Sequence, residues 1–164
     1  MKLWVIRHAK SSWADPGQAD FERPLNGRGK KDGQRMSLWM KDEREPPQRI
    51  VSSDAARAKA TAEYVRAGFS VSADRFSLEH RLYEASPVTI RDVVRELPDD
   101  CASAALVGHN PGSTDFVNAM VGKHVVDQLP TFGIALLDVP TPWAEVRFGT
   151  ARLVALYTPK SLRE

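Results

Sequence analysis

The sequence predicts an α/β protein: a single three-layer α/β/α domain in which helices cover both faces of a mostly parallel central sheet. Short apolar runs of strand formers alternate with segments of helical spacing, and no repeat period or linker interrupts the alternation. The length of 164 residues lies in the range where one hydrophobic core closes without metals or disulfides, so one domain is expected over residues 1–164.

Leu3-Trp4-Val5-Ile6 reads as a first strand, apolar on both faces, ending at Arg7-His8. Asp15-Pro16-Gly17 and Arg23-Pro24-Leu25-Asn26-Gly27 read as loop. Met36, Trp39 and Met40 then recur at helical spacing in a charged segment that runs to about Glu43, before Pro46-Pro47. Arg49 to Ser52 forms a second strand, and Asp54 or Ser53 is placed to cap a helix from Ala55 to about Ala67 that Gly68 ends. A third strand falls near Phe76 to Leu78, followed by a helix with Pro87 in its first turn that reaches Leu97 before Pro98. Ala104-Ala105-Leu106-Val107 is a fourth strand ending at Gly108-His109. Asn110-Pro111-Gly112 then leads into a helix carrying Phe116, Val117 and Met120. Two last strands are expected near Gly133 to Leu137 and Ala151 to Tyr157.

Composition narrows the class before any motif does. An apolar fraction of 42% and a charged fraction of 27% describe an ordinary globular chain. A net charge of +2, with acidic and basic residues interspersed, gives no footprint for nucleic acid, so any anion is bound locally. Cys101 is the only cysteine, which excludes an intramolecular disulfide and a zinc site of several thiolates and implies a reducing compartment. Arg7, His8 and Lys10 cut short the apolar start, and no apolar run approaches a membrane span. A cytoplasmic location without membrane contact is therefore expected.

In a sheet of this kind, ligands gather outside the carboxyl ends of the strands. Arg7 and His8 end the first strand, Arg57 lies in the first turn after the second, Glu84 in the loop after the third, and His109 ends the fourth. Singly, each has an ordinary structural reading. A strand-end histidine is scaffolding, Arg57 pairs with a neighbour such as Asp54, and Glu84 is a solvated carboxylate. Their convergence has a chemical purpose. A dianionic phosphoryl group needs several fixed donors around its oxygens, arginine forks supply them, and a neutral imidazole serves as nucleophile. One histidine would attack while the other stabilises charge. Glu84 would protonate the departing atom and later help activate water.

At these positions the chain resembles a known family. Arg7-His8-Ala9 resembles the Arg-His-Gly signature of the histidine phosphatase superfamily, also called phosphoglycerate-mutase-like. Ser52-Ser53-Asp54-Ala55-Ala56-Arg57-Ala58, followed by Thr61-Ala62, is similar to its second-arginine motif. Arg81-Leu82-Tyr83-Glu84 resembles the segment bearing its proton donor. Gly108-His109-Asn110-Pro111-Gly112 resembles the second-histidine motif in the form typical of the phosphohistidine phosphatase (SixA-like) subgroup. The order and spacing agree from Leu3 to about Phe116. The resemblance implies that His8 accepts the phosphoryl group, that Arg7, Arg57 and His109 form the phosphate pocket, and that Glu84 is the acid. It also implies phosphate or substrate contacts for Ser11, Arg23 and Asn110, with no cofactor and no metal.

Departures from the family pattern bear on substrate. Ala9 replaces the usual glycine, Lys10 adds a cation, and Trp13 is followed by Ala14 where the mutases carry a phosphate-contacting asparagine. The segment up to Glu84 is short, so a shallow, open pocket is expected, one that admits a phosphorylated side chain standing on a protein surface. Phosphohistidine in proteins is the leading substrate. The alternatives are small phosphometabolite esters, or a non-catalytic module that holds a phosphorylated partner. Val107 stands six residues after Cys101 where a cysteine phosphatase needs arginine, and neither an Asp-x-Asp motif nor a P-loop is present. His8, His109 and a carboxylate are a weak metal set, because the flanking arginines repel a cation.

Overall fold

The computed structural model describes residues 1–162. Along the chain run β1 (Lys2–Arg7), α1 (Gly27–Met40), β2 (Arg49–Ser52), α2 (Ala56–Phe69), β3 (Phe76–Leu78), α3 (Pro87–Arg95), β4 (Ser103–Gly108), α4 (Gly112–Val121), β5 (Ile134–Asp138) and β6 (Arg152–Tyr157). The strands form one sheet in the order β3-β2-β4-β1-β5-β6. β3, β2, β4 and β1 pair in parallel, whereas β5 is antiparallel to both β1 and β6, so β5 alone runs against the rest. The fold is α/β with a mostly parallel sheet.

The period-two alternation of β1 sorts its side chains between two cores. Leu3 and Val5 pack with Val94, Phe116, Val117 and Met120 of α3 and α4. Trp4 and Ile6 pack on the other face with Met36, Met40, Ala58, Ala62 and Val65 of α1 and α2. Both faces are therefore apolar, as the continuous run Leu3 to Ile6 requires, and three layers result. Each large side chain so buried contributes about 1.5–3 kcal/mol.

Local chemistry sets the helix ends. Asn26 caps α1 by accepting from the Gly29 N–H at 2.8 Å, and Ser86 caps α3 by accepting from the Thr89 N–H at 3.2 Å, with Pro87 as the first helical residue. Three helix boundaries differ from the sequence expectation. α1 ends at Met40 rather than Glu43, and α3 at Arg95 rather than Leu97. α2 runs past Gly68 to Phe69 and is closed by Ser70 in the left-handed conformation (φ 56°). Gly68 instead serves packing: a Cβ there would lie 2.8 Å from the Met40 Cβ and 2.9 Å from the Ser37 carbonyl oxygen, so its hydrogen lets α1 and α2 approach. Neither Ser53 nor Asp54 is the N-cap of α2. Ala55 holds that position without a side-chain bond, and the Ser53 hydroxyl accepts from the Ala55 N–H one residue earlier, at 3.2 Å.

The reversed direction of β5 closes one side of the strand ends. After α4 the chain returns across the carboxyl end of β1, where the Phe132 N–H donates to the His8 carbonyl (3.0 Å) and the Arg7 N–H to the Gly133 carbonyl (3.0 Å). The segment before β5 thereby becomes a wall beside β1. Among the described residues, no helix is long and apolar enough to cross a membrane.

Candidate active site

A cavity of about 520 Å³ opens at the carboxyl ends of β1 and β4, lined among others by Arg7, His8, Ser11, Arg23, Arg57, His109 and Asn110. Seven of the eight residues singled out in the sequence therefore meet in one place. The eighth, Glu84, is exposed on the neighbouring loop and is not part of that lining. Its φ of 54° puts a non-glycine residue in the left-handed region, a local strain of the order of 1 kcal/mol. The loop is tied to the site by Gly112, where a Cβ would come within 2.2 Å of the Ala85 carbonyl oxygen.

His8 follows β1, and its backbone N–H donates to the Gly108 carbonyl at 3.0 Å. Its Nδ1 lies 2.7 Å from the Ala9 carbonyl oxygen. A carbonyl only accepts, so Nδ1 carries the proton and the lone pair is on Nε2. Burial is the main reason that the His8 pKa falls to about 4, and repulsion by Arg57, Arg7 and Arg23 adds to it against the opposing pull of the Ala9 carbonyl. At neutral pH, His8 is an uncharged imidazole with a free nucleophilic nitrogen.

The residue after it is sealed in. Ala9 is fully buried, and its N–H donates to the Thr61 hydroxyl at 2.9 Å, while that hydroxyl donates to the Arg57 carbonyl at 2.8 Å. The nucleophile loop and the first turn of α2 are thus joined through one side chain. His109 lies against His8, with ring centroids 5.2 Å apart. Its pKa is lowered to about 3, first by burial and then by His8 and Arg57. The Ser53 hydroxyl, which accepts from the Ala55 N–H, also hydrogen-bonds His109 Nε2 at 2.8 Å and so orients the ring.

Among the described residues, three buried nitrogens around the cavity have no hydrogen-bond partner: Arg7 Nε, Arg57 Nε and His109 Nδ1. Buried donors are normally satisfied, and the two guanidinium Nε–H groups of this cluster can hold an anion. Arg7 also donates through Nη1 to the Leu129 carbonyl at 2.9 Å, and Asn110 Nδ2 donates to the same oxygen at 2.9 Å. Arg23 is 7% exposed and fastens the loop, donating to the Ser11 hydroxyl at 2.7 Å and to the Asp20 carboxylate at 3.1 Å. Its guanidinium lies 3.5 Å under the indole of Trp13.

A model of the histidine phosphatase superfamily, branch 1, matches residues 3–104 of the chain. The chain belongs to the histidine phosphatase superfamily. Its His109 segment lies beyond the matched stretch, yet the fold brings that segment beside His8. An uncharacterized protein of Mycobacterium tuberculosis strain H37Rv is 32% identical over 94% of this chain and 100% of its own length. A protein provisionally described as the phosphohistidine phosphatase SixA of Agrobacterium tumefaciens superposes with a TM-score of 0.82 at 29% identity, covering 96% of this chain and 97% of that one. A protein histidine phosphatase SixA complexed with tungstate shares the fold at a TM-score of 0.84 and 19% identity, covering 99% of this chain and 100% of that one. Within the superfamily, the likeness falls in the SixA-like subgroup, and membership supports phosphatase activity.

This histidine phosphatase also draws on Asp20, which no sequence motif marked, and on Tyr83, which lies in the Arg81-Leu82-Tyr83-Glu84 segment but is given no role by it. Arg57 pairs with Asp20 rather than with Asp54, whose carboxylate instead accepts from His80 at 2.9 Å. Tyr83 stands edge-on to His109 with centroids 5.4 Å apart and donates to Asp20 at 2.6 Å. The hydrogen bond to Asp20 is the leading cause that lifts the Tyr83 phenol to about 12. The spacing Asp20-x-x-Arg23 is a sequence signal for Asp20, and Tyr83 directly precedes Glu84. Among the described residues, no group of three or more His, Cys, Asp or Glu side chains is placed to hold a metal ion.

Proposed function

We propose that this phosphatase hydrolyses phosphohistidine in proteins and that His8 takes the phosphoryl group onto Nε2. One observation carries the reading: burial of the ring and the neighbouring arginines hold His8 neutral, and the Ala9 carbonyl accepts from the remaining proton on Nδ1, which leaves Nε2 unprotonated. A nucleophile and its anion-binding donors are then both prepared before substrate arrives. In the first step the Nε2 lone pair forms a bond to phosphorus while the substrate P–N bond breaks and the leaving imidazole nitrogen takes up a proton from solvent at the open cavity mouth. In the second, water attacks phosphorus, the P–Nε2 bond breaks, and inorganic phosphate leaves.

Arg7, Arg57 and His109 bind the phosphoryl oxygens, Asn110 and Ser11 border them, and Arg23 acts through Ser11. Glu84, from its exposed loop, serves as the acid for leaving groups that need one. Phosphohistidine suits a site whose acid stands outside the cavity lining, because an imidazole leaves readily once protonated. Trp13, 76% exposed at the cavity rim, leaves the mouth open to a partner's surface. The 29% identity to the Agrobacterium protein supports the same substrate class.

A substrate panel tests this. A phosphohistidine protein, sugar phosphates and nucleotides are compared on the parent and on His8→Ala. Preferential turnover of phosphohistidine, abolished in His8→Ala, is expected. Preference for a small ester would replace the substrate assignment, and turnover by His8→Ala would remove the mechanism. A chain that binds phosphoproteins and turns over none would be a binding module.

A further inference from the structure

Asp20 lies outside every motif that led to the site, yet it makes more polar contacts there than any other carboxylate. Arg57 donates through Nη1 to the Asp20 backbone carbonyl at 2.7 Å and through Nη2 to Asp20 Oδ2 at 3.0 Å. The same Oδ2 accepts from the Tyr83 hydroxyl at 2.6 Å, and Oδ1 accepts from Arg23 Nε at 3.1 Å. A guanidinium has two edges that can grip an anion bidentately: the end edge of Nη1 and Nη2, and the side edge of Nε and Nη2. Asp20 occupies the end edge. The side edge is left, and among the described residues its buried Nε has no partner.

We propose that Asp20 is a positioning residue that clamps the end edge of Arg57 and so presents the Nε–Nη2 edge to two phosphoryl oxygens. The inference rests on the reading of Arg57 as a phosphoryl ligand. Arg57 is 6% exposed and sits in the first turn of α2, so turning its fork without the clamp costs contacts on every side. Tyr83 and Arg23 hold the carboxylate from two further directions, which fixes the clamp itself. With three donors on it, Asp20 stays ionised, its pKa pulled down to about 2, with the Tyr83 hydrogen bond as the leading cause. It therefore supplies geometry and no proton.

Simple electrostatics gives the opposite expectation. A carboxylate near a dianion repels it, so a purely electrostatic Asp20 would weaken phosphate binding and its removal would strengthen it. The sign of the effect separates the two accounts. Asp20→Ala, Asp20→Asn, Arg57→Ala and the double variant Asp20→Ala/Arg57→Ala are assayed for kcat/KM on an aryl phosphate and for inhibition by vanadate and inorganic phosphate. Circular dichroism and thermal melting check folding.

Asp20→Ala is expected to lower kcat/KM about 10- to 100-fold and to weaken vanadate inhibition in step, as a misaligned ligand does. In the Arg57→Ala background, the same change is expected to cost less than about 3-fold, because the group it positions is gone. Asp20→Asn keeps one acceptor oxygen and is expected to show a smaller loss with the same dependence on Arg57, so it carries the test if the alanine variant does not fold. Equal losses in both backgrounds, no loss, or tighter phosphate binding would overturn the proposal. If Arg57→Ala itself changes nothing, the reading of the phosphate pocket fails, which is a different result from failure of the clamp.

Discussion

Gly29 in the first turn of α1 touches the nucleophile loop where no side chain fits. A Cβ at this position would stand 2.1 Å from the Lys10 carbonyl oxygen, and ordinary contact begins at 3.4 Å. One of the two must yield by about 1 Å, and the oxygen belongs to backbone two residues past His8. That same oxygen accepts from the Asn26 N–H at 3.0 Å, and Asn26 Nδ2 donates to the Ser11 carbonyl at 3.3 Å, so the displacement spreads into the loop. Overpacking costs about 1–3 kcal/mol, a lost hydrogen bond about 1, and the gain in helix propensity returns up to about 1. Gly29→Ala is therefore expected to be less stable by about 1–3 kcal/mol, which lowers Tm by about 2–10 °C in a chain of this size. A shift of that size beside the nucleophile lowers kcat/KM on an aryl phosphate by the order of 10²-fold. Gly27→Ala, with nothing within 4 Å of its added methyl, is the control and should match or slightly exceed the parent in both assays. If the two variants behave alike by thermal melting and by kinetics, the close approach of α1 to the nucleophile loop has no functional weight.

Two further outcomes come from the site's electrostatics. The pKa values of His8 and His109 fall to about 4 and about 3, below the unfolded value of 6.5, so the unfolded chain takes up protons first as pH drops. The stability they contribute is complete above pH 6.5 and is lost as pH falls toward 4, by up to about 4 kcal/mol for the pair at pH 5. Urea unfolding between pH 7.5 and 4.5 should show this slope, a His8→Asn/His109→Asn variant should lack it, and an unchanged slope would contradict neutral burial of the two rings. Glu84→Gln should lower kcat by about 10²–10⁴-fold on an alkyl phosphate ester, whose alkoxide needs a proton, and far less on phosphohistidine. Equal losses on both substrates would sink this division of labour.

Much of the fold was written in short-range patterns. The run Leu3 to Ile6 is apolar at every position because both faces of β1 are covered, and Pro87 begins α3 because an N-terminal turn has no use for its missing N–H. The convergence of Arg7, Arg57 and His109 came from sheet topology, which places strand ends together whatever the loops do. What the sequence hid was set by contacts between distant segments. Gly68 reads as a helix stop until Met40 and Ser37 are seen against it. The direction of β5 depends on the path of the chain after α4, and strand composition carries no sign of direction. Asp20 looks like one more loop carboxylate, and only the tertiary approach of Arg57, Tyr83 and Arg23 gives it a function-bearing place.

The central claim is that His8 Nε2 carries the phosphoryl group. It is tested most directly by trapping the enzyme during turnover of a radiolabelled phosphosubstrate and mapping the label after acid and alkaline quenches. The account predicts one phosphoryl group on His8, labile in acid and stable in alkali, absent from His8→Ala. Label on another residue, acid-stable label, or label that persists in His8→Ala would contradict it.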